Sequence, residues 1–80
     1  MNRLWLLRPI SEDHPTWVPW YDKCFGFVIR TDTEMNARNF ASLRHGDEGG
    51  KAWLDKEQST CVEIKTTDDP EVIMQDFRSA

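Results

Sequence analysis

Phe25-Gly26-Phe27-Val28-Ile29-Arg30, followed directly by Thr31-Asp32-Thr33-Glu34-Met35-Asn36-Ala37, decides the fold, because an apolar period of two gives way there to one near 3.6. In the first half Phe25, Phe27 and Ile29 point one way, with Gly26 and Val28 the other. The aromatic and β-branched residues suit a pleated strand. In the second half Thr31 and Glu34 have the spacing of a capping box, so the helix is predicted to start there. Ala37, Phe40, Ala41 and Arg44 then share one helical face with Leu43 beside it, and Arg44 and His45 suit the carbonyl end of the dipole. Gly46 is the expected stop.

Upstream, Leu4-Trp5-Leu6-Leu7 is too short for an independent helix and is closed by Pro9, so residues 3 to 8 read as a strand. From Ser11 to Lys23 the polar residues and the prolines Pro15 and Pro19 mark a loop, loaded with Trp17, Val18, Trp20 and Tyr21. Its length exceeds the needs of a simple hairpin, which leaves open whether the two strands it joins are sheet neighbours. Downstream, Asp47-Glu48-Gly49-Gly50 is a loop and Trp53-Leu54 a hydrophobic plug or short turn. Thr60 to Lys65 alternates, with Val62 and Ile64 expected inside and Cys61, Glu63 and Lys65 outside. Val72 to Phe77 is assigned as an edge strand, with a helical turn after Pro70 as the alternative. The expected fold is one α+β domain in β-β-α-β-β order, an antiparallel sheet of three to four strands on one helix. Its expected core is Leu6, Phe27, Ile29, Phe40 and Val62.

The chain has 80 residues, with four Trp, four Phe and one Tyr. That aromatic content indicates a packed core rather than disorder. A domain this small builds a thin core, and homodimerisation is the expected supplement. The apolar run before Arg8-Pro9 is far shorter than a signal-peptide core or a bilayer span of about 20 residues, so a soluble cytoplasmic protein is expected. Cys24 and Cys61 are expected as reduced thiols.

Chemistry-bearing patterns are sparse. His14, Cys24, His45 and Cys61 lie at none of the short spacings that hold zinc, and neither metal nor cofactor is expected. Gly46 to Gly50 follows a helix where a phosphate cradle would precede one, and Asp47 and Glu48 would repel phosphate. An enzyme built on Tyr21, Asp22 and the Asp47-Glu48 acids is the least supported reading, since adjacent acids in turns are usually solvated.

Charge divides the chain. Up to Gly46 there are six Lys/Arg against five Asp/Glu; from Asp47 onward there are four against nine, giving a net charge of −4. An acidic chain disfavours binding held by DNA phosphates. The alternative that keeps nucleic acid is a dimeric transcriptional regulator gathering Arg3, Arg8, Arg30, Arg38 and Arg44 on one face. The preferred reading is a non-enzymatic interaction protein whose partner or dimer contacts are Trp17, Trp20 and Tyr21, because large rings bury much area at low entropic cost. A sharper form has the acidic half imitating DNA to occupy a nucleic-acid-binding protein.

The series Trp5-Leu6-Leu7-Arg8-Pro9, Trp20-Tyr21-Asp22-Lys23, Phe25-Gly26-Phe27-Val28-Ile29-Arg30, Ala37-Arg38, Gly46-Asp47-Glu48-Gly49, Trp53-Leu54-Asp55 and Ser59-Thr60-Cys61 resembles a group of short proteins, of unassigned function, encoded by bacteriophage, prophage and plasmid genes. The resemblance spans nearly the whole chain. It implies an accessory protein of a mobile element and carries no functional residues; the preferred interaction reading then takes a host or mobile-element protein as the partner.

Overall fold

The computed structural model describes residues 2–65. Three strands, β1 (Arg3–Pro9), β2 (Phe27–Thr31) and β3 (Ser59–Ile64), form an antiparallel sheet in the order β2-β1-β3. Helices α1 (Glu34–Ser42) and α2 (Gly50–Leu54) cover one face, and a 3-10 turn at Pro15–Trp17 completes that layer. The fold is α+β, with the order β-β-α-α-β among the described residues. The expected strand at Val72 to Phe77 lies outside them. Despite the long connection, β1 and β2 are neighbours, pairing Leu7 with Phe27 and Trp5 with Ile29.

Register decides the core. Trp5, Leu7 and Pro9 of β1 lie on the same face as Phe27 and Ile29 of β2 and as Ser59 and Cys61 of β3, and the helices pack there. Leu6 therefore belongs to the other face, opposite Val28 and Val62, and neither Leu6 nor Val62 is a core residue; Val62 is 59% exposed. A residue's neighbour in sequence always takes the opposite face of a strand, so misreading one position inverts the set. Phe27 and Ile29 do pack against the core.

The helix starts two residues later than the capping-box spacing indicates. Thr31 still pairs with Arg3 in the sheet, and Thr33 is the cap, its Oγ1 accepting from Asn36 N at 3.2 Å. Asp32 adds a second local bond, accepting from Asn36 Nδ2 at 2.8 Å, which holds its carboxyl below the ordinary pKa. α1 buries Ala37, Arg38 and Ala41; the two alanines let the helix sit close to the sheet. Phe40 falls outside that stripe, 43% exposed with the Arg44 guanidinium over its ring, so it is not core.

Arg38 ties the layers together. Its guanidinium donates to Glu34 Oε2 at 2.9 Å, the Trp53 carbonyl at 2.9 Å, and Ser59 Oγ and carbonyl at 3.0 and 3.2 Å. Ser59 Oγ in turn donates to the Ala52 carbonyl at 2.7 Å. One buried cation thus fixes α1, α2 and β3, with its donors matched to acceptors as burial of a charge requires.

α1 ends at Ser42, before Arg44 and His45. Gly46 serves close approach rather than helix termination, since a Cβ there would lie 2.5 Å from the Asp22 carbonyl oxygen.

Candidate functional site

The loop between β1 and β2 is built from its anchors outward. His14 caps the 3-10 turn, Nδ1 accepting from Thr16 N at 3.2 Å, and Thr16 Oγ1 donates to Gln58 Oε1 at 2.6 Å. The turn drops Trp17 into the core, where it is fully buried edge-on to Trp53 at 5.5 Å; Phe27 meets Trp53 from another side at 5.0 Å. Trp17 therefore offers no ring to a partner, contrary to the contact role expected of it. Its indole N–H instead donates to the Cys24 carbonyl at 2.8 Å, pinning together the two ends of the tip formed by residues 18–23.

Between those ends the chain rises through Val18 and a cis Pro19 to Trp20 and Tyr21, which are 66% and 63% exposed and stack at 4.6 Å with a 35° tilt. Asp22 then takes a left-handed conformation (φ 55°), open to Asp at modest cost, and its carbonyl accepts from Asp47 N at 2.8 Å.

Glu48 locks this descent. Its carboxylate accepts from Trp53 Nε1 at 2.6 Å, Cys24 N at 2.9 Å and Gly46 N at 3.0 Å. Burial pushes the carboxyl pKa up, but the hydrogen bonds from Trp53, Cys24 and Gly46 outweigh it and hold the group below its usual value. Glu48 is thus committed as a structural acceptor. Asp22, next to Tyr21 in the chain, and Asp47, bonded to it through the backbone, are both exposed.

Other candidates are scattered. Arg38 is buried in the scaffold and is not a nucleic-acid contact on a surface. Arg8 pairs with Glu12 at 3.5 Å, and Arg44 lies beyond α1 against Phe40. Arg3 and Arg30, at the strand ends, both line an open cleft of about 600 Å³ together with Leu4, Glu63, Ile64 and Lys65, and Arg3 lies 3.6 Å from Glu63. With Arg38 buried, the five arginines do not form one exposed surface.

Cys24 and Cys61 are free, half-buried thiols. Burial raises the pKa of both; at Cys24 the Glu48 charge adds to it, and at Cys61 nearby Arg38 opposes it. Among the described residues no three His, Cys, Asp or Glu side chains gather to hold a metal ion, and no helix is long and apolar enough to cross a membrane. Sequence reasoning missed Arg38 and Glu48 as organising residues. The signals were faint: Glu34 one helical turn before Arg38, and Glu48 five residues before Trp53. Comparison of the chain with family models, curated proteins and solved structures gives no match.

Proposed function

We propose that the chain is a small, non-enzymatic cytoplasmic interaction protein of a mobile genetic element, engaging a partner protein through the Trp20–Tyr21 tip. The observation that carries this reading is the exposure of two stacked rings on a loop clamped at both ends. Covering the exposed part of such rings contributes roughly 2 kcal/mol each before ordering costs. The clamp lowers those costs, because the loop is organised before it meets anything. No specific observation favours the regulator that uses arginines, since Arg38 is internal and the cleft that Arg3 and Arg30 line is shared with Glu63, which pairs with Arg3.

Homodimerisation belongs to the same proposal and is read in the same experiment. Trp20→Ala and Trp17→Ala are compared by thermal melting, by mass from light scattering, and by retention of host proteins on the immobilised chain. Trp20→Ala is expected to melt near wild type while losing association or retention; Trp17→Ala is expected to lose the fold. A Trp20→Ala variant that melts early, or associates as wild type does, overturns the reading.

A further inference from the structure

We propose that the tip selects a basic partner, a protein segment carrying arginine or lysine side chains; this rests on the interaction reading above. The chemistry comes from what surrounds the rings. Trp20 and Tyr21 spend one face each on their mutual stack and leave the remainder to solvent, and an aromatic face attracts cations. Asp22 follows Tyr21 directly, and the bond from Asp47 N to the Asp22 carbonyl joins its backbone to that of a second exposed acidic residue, so two exposed acids belong to this end of the loop.

Among the described residues no ion pair to Asp22 or Asp47 is formed. Lys23 is one half-buried charge against two exposed carboxylates. Arg44 comes close through its backbone, whose carbonyl accepts from Cys24 Sγ at 3.7 Å, but its guanidinium is turned back over Phe40, 5.6 Å from the ring centre. The Glu48 charge is enclosed behind the loop by its own donors. A neutral partner would desolvate Asp22 and Asp47 without return, and an acidic one would be repelled. A basic segment supplies a cation to a ring face and counter-charges to both carboxylates.

The test selects binders from a random peptide library on the immobilised chain, with a Trp20→Ala/Tyr21→Ala variant as counter-selection. Peptides that depend on the rings are expected to be enriched in Arg and Lys. Asp22→Asn with Asp47→Asn should weaken them roughly three- to thirtyfold, an effect that shrinks as salt is raised. Melting curves of both variants establish that they fold. Ring-dependent peptides without a basic bias, or unaffected by the two Asn substitutions, overturn this inference and leave the interaction reading standing. If no selected peptide depends on the rings, both fall.

Discussion

Glu48 gives the sharpest test of how the tip is held. Its carboxylate serves Trp53 Nε1, Cys24 N and Gly46 N at 2.6 to 3.0 Å, so Glu48→Ala strands three donors in a half-buried or buried setting. An unsatisfied donor costs about 1–3 kcal/mol, more where it served a charged acceptor, but water can reach some of them; about 3–5 kcal/mol in total is expected. That is enough to unfold much of a small domain. Glu48→Gln keeps the volume and one acceptor while giving up the charge-assisted bonds, and about 1.5–3 kcal/mol is expected. The assay is urea denaturation followed by tryptophan fluorescence across a pH series. Because the folded-state pKa lies below the unfolded one, the wild-type contribution is complete above the ordinary carboxylate range and fades as pH falls through the folded value. Wild type and Glu48→Gln should therefore converge in acid. Equal urea midpoints at neutral pH would refute the clamp.

Four further outcomes are expected. Arg38→Ala should destabilise by about 3–5 kcal/mol in chemical denaturation, since it abandons Ser59 and the Trp53 carbonyl inside the core. Thr33→Ala should cost about 1 kcal/mol and Thr31→Ala should not act as a cap loss, as their denaturation midpoints will show. Phe40→Ala should shift the melting midpoint far less than Trp17→Ala, for which about 3–5 kcal/mol is expected. Both thiols should alkylate more slowly with iodoacetamide at neutral pH than in the urea-unfolded chain, because burial keeps them protonated.

The strands around Trp5 and Val28 were legible in the sequence because their residue types and periods agree. Their faces were less so. Leu4-Trp5-Leu6-Leu7 is apolar at every position, so alternation cannot say whether Trp5 and Leu7 or Leu4 and Leu6 turn inward. In β3 the polar Ser59 faces the core because Arg38 needs its oxygens, which displaces Val62 outward against any hydrophobicity rule. The spacing of Thr31 and Glu34 pointed to Thr31 as the cap, but the pairing of Thr31 with Arg3 keeps it in the sheet and leaves the cap to Thr33. At the candidate site Trp20 and Tyr21 were identified by their loop setting. Trp17 shares that setting, and nothing in the sequence reveals the turn that sends its ring inward.

The position of β1 at the centre of the sheet has a consequence for the order in which the molecule can assemble. Its partners on β3 lie roughly fifty to sixty positions away, so the middle of the sheet closes last and at high loop-closure cost. During synthesis the apolar β1 leaves the ribosome with neither neighbour, gains β2 after the aromatic loop, and stays half-paired until Ser59–Ile64 emerges. Through that interval an unpaired edge of the central strand is open to other chains. Expression yield should therefore depend more on how quickly the segment from Gly50 to Ile64 follows than on the stability of the finished fold.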